Sequence, residues 1–256
     1  MCGISAIISK IGTNTDEIVL MNNIIKHRGP DDEGFLTYEL KKNILKNYSG
    51  MDTHPSSIKK YNLDSIKNIN QNSNYNLIIG HRRLSIQDLT SLGHQPMTSI
   101  CENYVVAYNG EIYNFEVLKT ELIQKGYSFK SSTDTEVSLN GYIEWGNNLL
   151  NRLNGMFSFI IFNKKRNSVF IARDRFGVKP LYYYFKNNGD LYLASEIKQF
   201  TALNNWESIL NNDRAYDYLC FAQTDHTNET MFEGVYQVPP GHYCEFKINN
   251  FSKKIE

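Results

Sequence analysis

Between Gly155 and Ala194 the chain carries closely spaced apolar runs: Gly155–Phe162, Ser168–Ala172, Leu181–Phe185 and Leu191–Ala194. Gly and Asn turns separate them. Several are continuous rather than alternating, as in Met156-Phe157-Ser158-Phe159-Ile160-Ile161-Phe162. A strand of that kind is covered on both faces. Further strands are predicted over Ile4–Ser9, Asn76–Gly80 and Asn103–Tyr108. Helices are predicted near Thr15–Lys26, over Asn114–Lys125 and over Asp134–Trp145. Leu118, Leu122 and Ile123 give the second an apolar face, and Gly126 ends it. Ser131, Ser132 or Thr133 supplies the N-cap of the third. The mixture predicts an α+β chain with two stacked sheets between helical layers.

At 256 residues there is room for one large domain or two small ones. The 27 basic and 27 acidic residues cancel, which argues against a nucleic-acid binder held by a broad basic face. No window reaches the roughly 18 apolar residues of a membrane span, and the opening residues make no convincing signal peptide. Cys2, Cys101, Cys220 and Cys244 are too scattered for a zinc site or a compact disulfide framework. A reducing, cytoplasmic setting is expected. The six His residues show no paired ligand spacing, so no metal site is expected. There is no GxGxxG and no GxxxxGK[ST].

Two segments resist the strand-and-helix pattern. His27-Arg28-Gly29-Pro30-Asp31-Asp32-Glu33-Gly34 reads as a loop whose acidic trio is solvated, with a bound cation as the alternative. From about Lys41 to Tyr75 the chain is rich in Asn, Lys and Ser. That stretch reads as an inserted surface excursion, with a short helix around Ser56–Asn68.

The chemistry starts at the second residue. Removal of Met1, common before a small residue, would make Cys2 N-terminal. Nucleophile and base then share one residue: the thiol attacks, and an α-amine with a pKa of about 8 takes its proton. The other reading is a small buried hydrophobe that begins the first strand. Asn109-Gly110 reads as a type I′ hairpin turn, or as an amide and a backbone N–H aimed at one oxyanion. The Glu111-Ile112-Tyr113-Asn114 that follows leads into a helix and weakens the hairpin reading. Arg83 is a strand-end surface Arg, or a guanidinium gripping a carboxylate. Asp134 complements a helix N-terminus, or pairs with a substrate ammonium.

These segments together resemble the class II glutamine amidotransferases, those with an N-terminal Cys. The nearest resemblance is to the glutaminase domain of glutamine-hydrolysing asparagine synthetases. The motifs are Met1-Cys2-Gly3-Ile4, His27-Arg28-Gly29-Pro30-Asp31, Gly80-His81-Arg82-Arg83-Leu84-Ser85-Ile86 and Gly93-His94-Gln95-Pro96-Met97. Tyr108-Asn109-Gly110-Glu111-Ile112-Tyr113-Asn114, Asp134-Thr135-Glu136 and Leu153-Asn154-Gly155-Met156-Phe157 follow. Ala172-Arg173-Asp174-Arg175-Phe176-Gly177-Val178-Lys179-Pro180-Leu181, Ser195-Glu196-Ile197-Lys198 and Pro239-Pro240-Gly241-His242 complete the set. They keep the family's order over nearly the whole chain.

The resemblance implies a four-layer αββα sandwich of two antiparallel sheets between helices. It implies that Cys2 attacks the side-chain amide of glutamine to form a thioester, and that water then releases glutamate. Asn109 and Gly110 match the oxyanion pair, and Arg83 the clamp on the α-carboxylate. Glu111 and Asp134 match the region that receives the α-amine. Leu84, Ser85, Ile86 and Gln87 match the pocket wall, with Gln87 where an aliphatic residue is often found. Arg173–Pro180 is given no chemistry; in the resembling enzymes it helps build the face toward a second domain.

In a full asparagine synthetase that second domain uses ATP and Mg, activates aspartate and receives ammonia. Its Ser-Gly-Gly-x-Asp-Ser signature is absent from this sequence. The expectation is a glutaminase domain over 2–210 and a connection over 211–256 toward a synthetase domain in cis or trans, with no cofactor held by this chain. The expected partners are glutamine and that domain, with no nucleic acid and no membrane; a homodimer is left open. The alternatives are delivery of ammonia to another acceptor and a silent regulatory or interaction domain.

Overall fold

Phe157–Asn163, Ser168–Arg173 and Leu191–Ala194 are indeed covered on both faces, while Tyr182–Phe185 is partly exposed. The computed structural model describes residues 1–69 and 74–251. Its first half contains β1 (Gly3–Thr13), α1 (Asp16–Ile24), β2 (Asp32–Glu39), β3 (Ile44–Ser49), α2 (Pro55–Tyr61), β4 (Asp64–Ser65) and β5 (Tyr75–Arg83). Then come β6 (Met97–Thr98), β7 (Tyr104–Ile112), α3 (Phe115–Gln124), α4 (Asp134–Trp145) and α5 (Leu149–Arg152). The remainder is β8 (Gly155–Asn163), β9 (Ser168–Arg173), β10 (Tyr182–Phe185), β11 (Leu191–Ala194), α6 (Asn212–Phe221), β12 (Val235–Gln237) and β13 (Tyr243–Lys247).

The strands form two sheets, in the orders β12-β10-β11-β1-β5-β2-β3-β4 and β13-β9-β8-β7-β6. Every pairing is antiparallel except the short β3–β4 contact. Strand alternation sorts the side chains into layers. Ile4, Ala6 and Ile8 of β1, Leu77 and Ile79 of β5, and Val105 and Ala107 of β7 meet between the sheets. On the outer face of the first sheet, Ile7, Phe35 and Ile78 pack on Ile18 and Met21 of α1. On the outer face of the second, Val106, Tyr108 and Ile161 pack on Leu118, Leu122 and Val137 of α3 and α4. Each fully buried Ile or Leu contributes about 1.5–3 kcal/mol over leaving it exposed. The result is the αββα sandwich.

Local signals explain several boundaries. The Thr133 hydroxyl accepts from Glu136 N–H at 3.2 Å, so α4 begins at Asp134. After α3, Gly126 takes a φ of 92°, a conformation that stops a helix. The sheets also run past residue 210: β12 pairs with β10 and β13 with β9, so the 211–256 segment edges both. Residues 252–256 lie outside the described part.

Three expectations change. The 41–75 stretch is not a plain surface excursion. β3 pairs with β2 over five positions, and Tyr48, Thr53, Leu63 and Ile66 are buried. The expected Ser56–Asn68 helix is shorter: α2 ends at Tyr61 because Asn62 adopts φ 48°. Its anchoring apolar residues are too widely spaced to give a period, so polar composition hid the order. Residues 70–73 of this stretch fall outside the described residues.

The acidic trio is not a solvated loop, since Asp32 and Glu33 are buried and already begin β2. Asp32 pairs with His94 at 2.7 Å and Glu33 with Arg82 at 2.9 Å. Finally, Asn109-Gly110 is not a turn. β7 continues through it to Ile112, with Asn109 opposite Ser158 and Gly110 opposite Phe157.

Candidate active site

Period-two geometry carries four polar residues to one end of the inter-sheet layer. Cys2 precedes Ile4 by two, His81 and Arg83 follow Ile79 by two and four, and Asn109 follows Ala107 by two. All four therefore share the inward face of their strands. A cavity of about 140 Å³ opens there, bordered by Cys2, Arg83, Asn109, Gly110, Glu111 and Asp134.

Cys2 is held at both ends. Its Sγ lies 3.4 Å from Leu84 N and 3.7 Å from Leu84 O. Its carbonyl accepts from Arg28 Nε at 2.8 Å, and Arg28 is fixed by Glu196 at 2.9 Å. Against the upward push of burial, hydrogen bonds from Arg28, Lys198 and His27 bring Glu196 down to about 2. Burial raises the Cys2 thiol, opposed by the Leu84 N–H, the N-terminal amine and Arg83. The thiol therefore needs a base beside it rather than ionising unaided.

Asn109 is the anomaly of the interior. It is 1% exposed, yet neither its Oδ1 nor its Nδ2 has a hydrogen-bond partner among the described residues. An unpaired buried amide costs about 1–3 kcal/mol. A group of that kind in a cavity beside a thiol is placed for a ligand.

The Gly110 N–H completes the pair by strand geometry. Phe157, its partner on β8, gives its N–H to Asp174 Oδ2 at 3.2 Å and receives Asp174 N–H on its carbonyl at 2.8 Å. Phe157 thus faces away from β7, and its pairing with Gly110 is the non-hydrogen-bonded kind. Tyr108 and Ile112 share Gly110's orientation on the free edge of β7. Tyr108 N–H donates to Gln95 Oε1 at 2.7 Å, and Ile112 N–H to Asp134 Oδ2 at 2.9 Å. Between them, no side chain or loop carbonyl among the described residues accepts from Gly110. The glycine serves close approach, not a turn: a Cβ there would lie 2.5 Å from the Met156 carbonyl oxygen. Gly110→Ala is expected to cost about 1–3 kcal/mol by overpacking, measured by urea unfolding.

The two ends of the cavity carry opposite charge. Arg83 is 7% exposed and makes none of the ion pairs found among the described residues. Its guanidinium is aimed by the carbonyls of Thr90, at 2.9 Å, and Asp88. Gly93 packs so close to this guanidinium that a Cβ would collide with it. At the other end Asp134 Oδ2 accepts from Tyr108 OH at 2.7 Å. Burial raises Asp134, partly offset by the Tyr108 and Ile112 hydrogen bonds. His81, brought down to about 3 by burial, is neutral and bridges the sheets from Nε2 to the Tyr108 carbonyl at 2.9 Å.

Of the residues singled out in the sequence, Cys2, Arg83, Leu84, Ile86, Gln87, Asn109, Gly110, Glu111 and Asp134 all border the cavity. Ile86 is exposed at its mouth, and Gln87 Oε1 accepts from Asp134 N–H at 3.2 Å. Ser85 does not border it: its N–H donates to Asp31 Oδ2 at 2.7 Å, and it lines the neighbouring cleft. Sequence reasoning missed Tyr108, Gln95 and Lys179. Alternation from Ile112 would have put Tyr108 and Gly110 on one edge; Lys179 lay in the Ala172–Leu181 motif, to which no chemistry was given.

Among the described residues, no group of three or more His, Cys, Asp or Glu side chains is placed to hold a metal ion. None of the helices in that part is long and apolar enough to cross a membrane.

Comparison with known proteins identifies the family. Residues 65–255 match the family described as glutamine amidotransferase domain. The chain is 32% identical over 210 residues to asparagine synthetase [glutamine-hydrolyzing] 3 of Bacillus subtilis, covering 81% of this chain and 33% of that protein. It is 35% identical over 231 residues to putative asparagine synthetase [glutamine-hydrolyzing] 2 of Methanocaldococcus jannaschii, covering 83% of this chain and 38% of that protein. It therefore spans about a third of the length of these relatives. Among solved structures, glutamine phosphoribosylpyrophosphate amidotransferase from B. subtilis superposes with a TM-score of 0.64 at 22% identity. That match covers 78% of this chain and 43% of the other, a likeness of fold. On the family match and these relatives, the chain belongs to the glutamine amidotransferase domain family.

Proposed function

We propose that this chain hydrolyses the side-chain amide of glutamine at Cys2. We further propose that the ammonia passes to a synthetase domain that makes asparagine from aspartate with ATP. The observation that carries the first step is the buried, unpartnered Asn109 amide in the cavity that holds the Cys2 thiol.

Glutamine lies with its α-carboxylate on Arg83 and its α-ammonium toward Glu111 and Asp134. With Met1 removed, the Cys2 amine accepts the thiol proton as Sγ bonds to the amide carbon. The developing oxyanion receives hydrogen bonds from Asn109 Nδ2 and the Gly110 N–H. The amine returns the proton to the departing nitrogen, the C–N bond breaks, and ammonia leaves a glutamyl thioester. Water, deprotonated by the same amine, attacks the thioester; the C–S bond breaks, the amine returns the proton to sulfur, and glutamate leaves. ATP and Mg belong to the synthetase domain in this scheme, and no step on this chain passes through them.

The surface supports a partner. Phe176 is 86% exposed, and α6 buries none of its residues while Tyr216, Leu219 and Phe221 face solvent. Exposed apolar groups of this kind mark an interaction face. Four free cysteines fit a reducing cytoplasm.

Intact mass and glutamate release on one sample test the reading. Met1-free protein should release glutamate and ammonia in equal amounts. A Met1-free chain that is inert both alone and with a synthetase domain would refute it. Arg83→Lys is expected to raise KM for glutamine about 10–100-fold with a smaller effect on kcat. That is the ~1.5–3 kcal/mol of one charged hydrogen bond lost when a two-pronged donor becomes a point charge.

A further inference from the structure

Lys179 is a cation in the Cys2 cavity that the scheme above does not use. It is 7% exposed and borders the cavity together with Met1, Cys2 and Met156. Its backbone is pinned on both sides: the N–H donates to Asp174 Oδ2 at 3.0 Å, and the carbonyl accepts from Arg173 Nε at 2.9 Å. Arg173 in turn holds Gly177 O and Val238 O, both at 2.7 Å. The turn that carries the ammonium is therefore fixed. Yet the ammonium itself makes no hydrogen bond or ion pair among the described residues. With no protein partner among those residues, the ammonium is available to charge that arises in the cavity it borders.

The other charges facing the N-terminus are committed elsewhere. Arg28 holds the Cys2 carbonyl and Glu196; Asp31 takes the Ser85 N–H. Arg83 on β5 is aimed by carbonyls, and Asp134 on α4 is held by Tyr108 and Ile112. Glu111 of β7 borders the same cavity without pairing to Lys179. Burial lowers the N-terminal amine, and Arg28 and Lys179 push the same way against Cys2 and Asp31. Removal of Met1 carries that amine one residue deeper.

We propose that Lys179 is a positioning residue of the glutaminase site, whose ammonium keeps the amine of processed Cys2 unprotonated and favours negative charge on its sulfur. This rests on the assignment of Cys2 as nucleophile. It makes the Arg173–Pro180 turn part of the reacting site.

The test compares Lys179→Met and Lys179→Arg in the full, Met1-free chain. Two readouts separate the claims. One is the pH dependence of Cys2 alkylation by iodoacetamide, followed on the N-terminal peptide by mass spectrometry; it needs no turnover. The other is the pH profile of kcat/KM for glutamine. A lost neighbouring cation raises both the thiol and the amine, so both midpoints move up, by about one pH unit. On the acid limb kcat/KM then falls about tenfold, recovering at high pH with KM unchanged. Lys179→Arg restores both midpoints. An unmoved alkylation midpoint in Lys179→Met, or a uniform loss of activity at every pH, overturns the proposal. A moved alkylation midpoint in a chain that never releases glutamate supports the charge coupling and removes the glutaminase reading instead.

Discussion

Cys2→Ala, in chain from which Met1 has been removed, is expected to lower glutamate release from glutamine by more than about 10⁴-fold, to the level of an unfolding control. The expectation follows from the division of labour in the cavity. In the proposed scheme Arg83, Glu111 and Asp134 bind and orient glutamine, while the only thiol on the cavity border among the described residues is Cys2. Removal of a nucleophile costs far more than removal of any supporting group, because the remaining groups have no bond-forming atom to act through. The side chain is small and half-buried, so truncation leaves the fold in place. Glutamine should still bind, which calorimetry or a shift in melting temperature would show. Undiminished turnover in this variant would end the assignment of Cys2 as nucleophile.

Asn109→Ala is the second large effect, and it has an unusual companion. The kcat for glutamine hydrolysis should fall about 10²–10³-fold, the ~2.7–4 kcal/mol of one oxyanion donor, with KM little changed. Thermal stability should not fall with it. The amide makes no hydrogen bond among the described residues, so its removal breaks none of those, and it relieves an unpaired buried group. For most buried polar residues the opposite holds. Glu33, for instance, carries the buried Arg82 pair at 2.9 Å and accepts from Asn22 at 3.1 Å, and its loss would unfold the first sheet's outer face. Parallel loss of stability and activity in Asn109→Ala would assign the residue to structure.

How much of this was legible depended on the kind of signal. The layered sheets were readable because apolar runs such as Phe159-Ile160-Ile161-Phe162 need cover on both faces, and they have it. The α4 boundary was readable because Thr133 caps it. Cys2, Asn109 and Asp134 were identified by motif, while their convergence came from strand parity, counted from Ile4, Ala107 and the start of α4. Other features were illegible for physical reasons. Asn109-Gly110 carries a turn signature, but its glycine is required by the Met156 carbonyl across the ladder, a contact between residues distant in sequence. The order in 41–75 rests on isolated anchors such as Tyr48 and Leu63 amid polar residues. Ser85 was placed in the pocket wall with its neighbours, yet it turns outward because Asp31 takes its N–H. Lys179 lay inside a motif given no chemistry, because its place beside Cys2 is a fact of three-dimensional placement.

Everything above turns on covalent chemistry at one sulfur. It is tested most directly by labelling Met1-free chain with a glutamine analogue that carries a diazoketone in place of the amide, then mapping the label by peptide mass spectrometry. One label is expected, on Cys2 Sγ, blocked by excess glutamine and coincident with loss of glutamate release. Label on Cys101, Cys220 or Cys244, or continued glutamate release by protein fully labelled at Cys2, would contradict it.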